Sequence, residues 1–404
     1  MIYLDNAATT FPKPIGMIEE MARCMVYYCG NPGRSGHDLS IKTGEEVYRA
    51  RKEIAELFHI QDCSHVIFTL NATDSLNMAI KGTLREGDHV ITTAMEHNSV
   101  LRPLKALEKK GVQTTIVPCT RDGYVRPDFI EKEIRKNTKM IACTHASNVT
   151  GSIQPIEEIG RIATAHQLLF LVDASQSAGC VPIDVMEMHI DLLAMPGHKG
   201  LLGPLGTGIL YIRPGLEVTC VREGGTGTNS RDLRQPLDFP EGYESGTVNA
   251  PGIIGLGRSV RFLKKMGIEA IRHHEERLIG RLEEAVYNIN DMVLTKGKIK
   301  MYGPQMGSKL MVGQTRGVGQ IACTNRRKTG ILCFNVEGMD CEEVTQRLNE
   351  YGIASRAGFH CAGLAHRTIG TVETGAVRLS VGPFNTIREM DVTARALFQI
   401  ARNA

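Results

Sequence analysis

The chain has 404 residues, 42% of them hydrophobic and 23% charged, which excludes a disordered, collagenous or fibrous protein and allows two domains. Its 47 Lys and Arg nearly balance 44 Asp and Glu, for a formal charge of +3. The sequence therefore shows no electrostatic footprint for nucleic acid or an anionic membrane.

Eleven cysteines are scattered without a Cys-x-x-Cys pair, so neither a disulfide framework nor a metal site is expected. The opening residues lack a basic stretch followed by an apolar one, and no run of apolar residues is long enough to span a bilayer. The expectation is a cytoplasmic protein with no membrane association and no bound metal.

Short apolar runs rich in β-branched residues begin at Val66 and recur to Ile212: Val66–Thr69, Val90–Thr93, Thr114–Val117, Met140–Cys143, Leu168–Val172, Leu192–Ala194 and Ile209–Ile212. Each predicts a buried strand. Between them lie helically spaced apolar residues, such as Leu101, Leu104 and Leu107, and later Ile156, Ile159 and Ile162. Strands alternating with helices predict an α/β fold with a mostly parallel sheet covered on both faces. From about residue 250 the pattern changes. Ile268, Ile271, Leu278, Leu282, Val286 and Ile289 share one face of a long helix, followed by a strand at Ile331–Val336, a helix at Cys341–Tyr351 and a strand at Val377–Val381. The expected organisation is a large domain over 15–260 and a smaller α+β domain made of 1–14 and 261–404.

On a parallel sheet, ligands bind at the carboxyl ends of the strands. Asp173 follows one run, with Gln176 close behind; a carboxylate there needs a cation or a donor, and a protonated ring nitrogen would serve. His198 and Lys199 follow another, on a turn bracketed by Gly197 and Gly200, where a lysine can form a Schiff base with an aldehyde. Asn71, Ala72, Thr73 and Ser75 follow a third and open a helix, which offers backbone amides to a phosphate. Aldehyde, phosphate and a pyridinium nitrogen together describe pyridoxal 5′-phosphate. No element is specific by itself; their joint placement on strand ends carries the reading. The Gly224–Thr228 run, by contrast, reads as a loop.

Seven segments then stand in a familiar order: Tyr3-Leu4-Asp5-Asn6-Ala7-Ala8-Thr9-Thr10, Met95-Glu96-His97-Asn98-Ser99, Ser147-Asn148-Val149-Thr150-Gly151, Val172-Asp173-Ala174-Ser175-Gln176, Gly197-His198-Lys199, Glu244-Ser245-Gly246-Thr247 and Arg356-Ala357-Gly358-Phe359-His360-Cys361-Ala362. In these the chain resembles the cysteine desulfurases and selenocysteine lyases of the class V aminotransferase fold, a pyridoxal-phosphate-dependent transferase of fold type I. The resemblance implies that Lys199 binds the cofactor covalently and also acts as catalytic base, that Asp173 pairs with the ring nitrogen, that His97 stacks on the ring, and that Gln176 reaches the phenolic oxygen. It implies a phosphate site from Ala72, Thr73 and His198, joined by Thr247 of a second subunit, and hence a homodimer. Asn148 would contact cofactor or substrate, Arg378 would clamp the substrate carboxylate with Arg356 near the mouth, and Cys361 would be the nucleophile that takes the sulfur.

The chain departs from the family pattern in three places, one being the run Cys361-Ala362-Gly363-Leu364-Ala365-His366, which is not its commonest form. Pro196 stands where a serine is usual, which removes a hydroxyl and an N–H from the phosphate site. Phe359-His360 stands where two histidines commonly precede the cysteine. The segment around Cys361 matches the short-loop branch, whose members often need a sulfur-acceptor protein or prefer selenocysteine. The reading is therefore a cysteine desulfurase acting on L-cysteine. Its alternatives are a selenocysteine lyase acting on L-selenocysteine, a class V transaminase or other β-lyase, and a persulfide-delivery scaffold.

Overall fold

A strand covered on both faces sends alternate side chains into two apolar layers, and it therefore reads as a continuous apolar run. The computed structural model describes residues 1–33, 35–306 and 328–404 and places a strand on each such run, but Thr114–Val117, expected to be buried, forms an edge strand on which Ile116 is exposed; Cys323 lies outside the described residues. In chain order the first eight strands are β1 (Ile2–Tyr3), β2 (Val66–Thr69), β3 (His89–Thr93), β4 (Gln113–Val117), β5 (Thr138–Thr144), β6 (Leu169–Asp173), β7 (Leu192–Pro196) and β8 (Gly208–Ile212). β2 to β8 form a seven-stranded sheet in the order β2-β8-β7-β6-β5-β3-β4. β8 runs against both its neighbours, whereas the pairings from β7 across to β4 are parallel. The expected fold class is the one observed.

β5 illustrates the two-sided burial. Its Ile141 and Cys143 join the core under the helices Asp38–Leu57, Ile156–Ala165 and Ala250–Met266, while Met140 and Ala142 join the core under Ala72–Thr83 and Asn98–Glu108.

The remaining strands are β9 (Ile299–Tyr302), β10 (Ile331–Val336), β11 (Ile353–Ala354), β12 (Arg356–Gly358) and β13 (Ala376–Ser380). β12-β13-β10-β9 make an antiparallel sheet that buries Phe334, Val377 and Leu379 against Leu278, Leu282, Leu348 and Leu397 of three helices. The amino-terminal segment sides with this second core: β1 pairs in parallel with β11, and Leu4 is fully buried there. The helix Ile268–Asp291 links the two cores, with Ile271 in the first and Leu278 onward in the second.

One ion pair in this region is wholly buried. Lys328 Nζ donates to Glu283 Oε1 at 2.7 Å, with the two side chains 2% and 0% exposed, and Glu283 Oε2 also accepts from the Met306 amide at 2.5 Å. A buried pair adds little net stability, but removing one partner strands a charge. Lys328→Met should therefore cost about 3–5 kcal/mol in chemical denaturation, and Lys328→Met with Glu283→Leu should recover most of it. A loss below about 1 kcal/mol would contradict the pairing as a determinant of stability.

Candidate active site

The carboxyl ends of β2, β3, β5, β6 and β7 open onto one cleft. Ala72 and Thr73 line it from the start of the helix Ala72–Thr83, and His97 and Asn148 from the loops after β3 and β5. Asp173, Gln176, His198 and Lys199 complete it from the ends of β6 and β7. Eight of the residues expected in the site are thereby brought together.

At one end of the cleft, the twelve-residue helix Ala72–Thr83 presents its free first-turn amides, which favour an anion. Asn71 caps this helix by accepting from the Asp74 amide at 3.0 Å. Pro196 and His198 lie across from it; His198 Nδ1 is buried without a partner, and burial together with Lys199 and Lys13 pushes its ring down to about 4, so it is neutral.

Asp173, 3% exposed, lines the same cleft, and its Oδ1 accepts from the Ser175 amide at 2.9 Å. A buried carboxylate with one neutral donor favours a neighbouring cation, a place that Lys199 holds here and that a protonated ring nitrogen would suit. Gln176 Nε2 donates to the Ala7 carbonyl at 3.0 Å, which leaves its second N–H free for an acceptor.

Lys199 rides on a turn that admits only glycine on each side. A Cβ at Gly197 would fall 2.1 Å from Thr207 Oγ1, and one at Gly200 would fall 2.3 Å from the Ala178 carbonyl. The amino-terminal motif holds the same turn: the His198 carbonyl accepts from Lys13 Nζ at 2.7 Å and from Thr9 Oγ1, Thr10 Oγ1 and the Thr10 amide at 3.2 Å. Burial pushes the Lys199 ammonium down to about 8. Asp173 and Cys361 pull it back up, while Arg378 and Arg356 add to the lowering. About a tenth of its amine is thus uncharged at pH 7, roughly a hundredfold more than an ordinary lysine offers a nucleophilic or basic step.

His97 caps the helix Asn98–Glu108 through Nδ1, which accepts from the Ser99 amide at 3.1 Å. Ser99 Oγ lies 2.9 Å from the same nitrogen and 2.8 Å from Thr73 Oγ1, and it too lines the cleft. Beneath them Glu96 is fully buried. Its Oε1 accepts from Thr93 Oγ1 at 2.6 Å and the Thr144 amide at 2.9 Å, Oε2 has no partner, and burial raises it to about 8, so it is protonated at neutral pH. Sequence reasoning singled out neither Ser99 nor Glu96, although both belong to a motif it quoted.

Cys361, Arg356, Arg378 and Thr247 do not line this cleft. Cys361 is exposed, and it follows His360 with both residues in the left-handed region, at φ of 56° and 50°. Two bonds tack this strained pair to the cleft walls: Asn98 N donates to the Cys361 carbonyl at 2.9 Å, and Asn148 Nδ2 donates to the His360 carbonyl at 2.6 Å. Behind the pair, His360 Nδ1 meets His366 Nε2 at 3.3 Å, and His366 Nδ1 meets Thr371 Oγ1 at 2.8 Å. Burial holds both rings neutral, at about 3 and about 4.

Arg378 is 1% exposed and committed on two sides, donating to the Asn148 carbonyl at 2.9 Å and to Asp5 Oδ1 at 3.0 Å; its Nε is buried without a partner. Arg356 faces it across the β12–β13 pairing and is half-buried. Thr247 is exposed on a loop, whereas Glu244 of the same motif is structural: it takes a two-pronged bond from Arg51 at 2.7 and 2.8 Å and accepts from the Phe68 amide at 2.6 Å. Among the described residues no cluster of three or more His, Cys, Asp and Glu side chains is arranged to hold a metal, and the ten described cysteines are free thiols.

The family model for aminotransferase class V matches residues 2–303 and 308–392. A probable cysteine desulfurase of Methanothermobacter thermautotrophicus is 33% identical over 407 residues, covering 99% of this chain and 94% of that protein. The cysteine desulfurase IscS of Dictyoglomus turgidum is 38% identical over 263 residues, 64% of this chain and 63% of its own. Among solved structures, the apo cysteine desulfurase of Thermococcus onnurineus superposes with a TM-score of 0.89 at 30% identity, covering 100% of this chain and 95% of that one. The cysteine desulfurase CsdA of Escherichia coli gives 0.84 at 26% identity, covering 98% and 94%.

Proposed function

The chain belongs to the class V aminotransferase family, and from that membership we propose that it is a pyridoxal-phosphate-dependent cysteine desulfurase, converting L-cysteine to L-alanine and leaving a persulfide on Cys361. One observation carries the reading: a lysine lowered to about 8 shares a cleft with the buried carboxylate of Asp173, and an exposed cysteine is tacked to the walls of that cleft.

The donor set fits the cofactor. Helix amides, Thr73 and the unpartnered neutral His198 suit a phosphate, Asp173 suits a protonated ring nitrogen, and Lys199 suits an aldehyde. When bound, pyridoxal phosphate supplies an electron sink for the bonds at the substrate α-carbon. Arg356 and Arg378 are the guanidinium groups for the substrate carboxylate, which Arg378 can take only through its unpartnered Nε or by releasing Asp5. The Lys199 amine takes the proton from the α-carbon. Cys361 Sγ, as thiolate, attacks the substrate sulfur; a sulfur–sulfur bond forms, the carbon–sulfur bond breaks, and its electron pair stays with the substrate carbons, which are then protonated to alanine.

Thr247 is exposed away from the cleft of its own chain, and Leu70 and Leu205, 55% and 67% exposed, flank the segments that build the cofactor end. These features support a homodimer in which Thr247 reaches the partner's site. The exposure of Cys361 supports transfer of its persulfide to an acceptor protein. Free thiols throughout the described residues support a cytoplasmic setting, and no helix among those residues is long and apolar enough to cross a membrane.

Product analysis tests the function. Incubation with cysteine should release alanine and reducible sulfur in equal amounts with no keto acid present. A requirement for a keto acid would establish a transaminase instead, and release from selenocysteine alone would establish a selenocysteine lyase.

A further inference from the structure

We propose that Ser99 is a positioning residue that fixes His97 in the tautomer carrying its proton on Nε2, and so aims one ring N–H into the cleft. The inference rests on the cofactor-site reading for its consequence but not for its geometry.

The assignment follows from counting protons. The Ser99 amide donates to His97 Nδ1 at 3.1 Å, and an amide can only donate, so Nδ1 carries a lone pair. Ser99 Oγ lies 2.9 Å from that same nitrogen and must likewise donate to it. Its proton being spent there, the Thr73 hydroxyl at 2.8 Å is the donor in the Thr73–Ser99 bond. In a neutral imidazole whose Nδ1 accepts, the proton sits on Nε2. Among the described residues Nε2 has no partner, and His97 lines the cleft, so this N–H is the ring's one donor available to a bound molecule.

Two features keep the ring neutral. His97 occupies the cap of the helix Asn98–Glu108, where the positive end of the helix opposes a second ring proton, and both Ser99 donors stabilise the unprotonated Nδ1. Burial lowers the ring further, as do Lys199, Arg102 and Arg356, against which Asp173 alone pulls upward. The order of the chain also insulates His97. An anion at the helix start that draws away the Thr73 proton leaves the Ser99 proton in place, because that proton is committed to Nδ1.

Ring-nitrogen-labelled histidine NMR of the holoenzyme, with His97→Gln used to identify the signal, reads the tautomer directly. Wild type should show the Nε2–H form, and a wild-type Nδ1–H signal would overturn the proposal without any variant. Ser99→Ala keeps the amide donor, so it should keep the Nε2–H form but raise the pH midpoint of the ring by about 0.5–1, the worth of one hydrogen bond. The acidic limb of kcat/KM for cysteine should move with it, and Ser99→Thr should restore both. An unchanged midpoint in Ser99→Ala, or a Ser99→Thr that behaves like alanine, would overturn the hydroxyl's role. A chain with the Nε2–H form that releases no alanine would sink the proposed function and leave this inference standing.

Discussion

Cys361→Ala is expected to retain its cofactor and lose alanine release from cysteine by about 10³-fold or more, because the sulfur of cysteine leaves poorly unless a thiolate accepts it. The substitution is well suited to the position. Alanine keeps the β-carbon, so the strain of two successive left-handed residues is the same before and after, and the two bonds that tack the loop to Asn98 and Asn148 involve backbone carbonyls that the change leaves untouched. A selenol is more acidic and a better leaving group than a thiol, so release from selenocysteine should fall by a much smaller factor. Wild-type rates with cysteine in Cys361→Ala would contradict the persulfide mechanism and favour a transaminase or another β-lyase.

The second large effect concerns Lys199. Lys199→Ala should lower alanine release by about 10²–10⁴-fold, the usual worth of a positioned acid–base group, beyond any loss of covalently held cofactor. The ammonium stands at about 8 in the cofactor-stripped protein, so the reactive neutral amine should grow tenfold per pH unit up to about 8 and then level off. The rate at which pyridoxal phosphate joins the stripped protein should follow that curve. An ordinary lysine would keep gaining to about 10.4. Asp173 raises this group, so Asp173→Asn should move the break to lower pH. A rate that climbs steadily through pH 10 would contradict the buried, lowered amine.

The strands of the large sheet are legible because each buried run is continuous and bounded by turn residues; Val66–Thr69 and Ile331–Val336 coincide with their runs end to end. β1, β11 and β12 are two or three residues long and leave no periodic trace, since only the pairing of Ile2 with Ile353 and of Arg356 with Arg378 defines them. The same division runs through the site. Asp173, His198 and Lys199 follow from the rule that ligands meet strand ends, and the structure gathers them in one cleft. The bonds of Arg378 to Asp5, 373 residues apart, and of Arg51 to Glu244, 193 apart, join segments whose sequences carry no sign of one another. The first forms only when the small domain's strand meets the amino-terminal segment, the second only when the large domain closes on itself.

The central claim is that Lys199 is the residue to which the cofactor is bound. Reduction of the purified protein with borohydride, followed by proteolysis and mass mapping, reads it directly. The account predicts a pyridoxyl group on the peptide containing Lys199. A pyridoxyl group on any other lysine, Lys13 included, would contradict it.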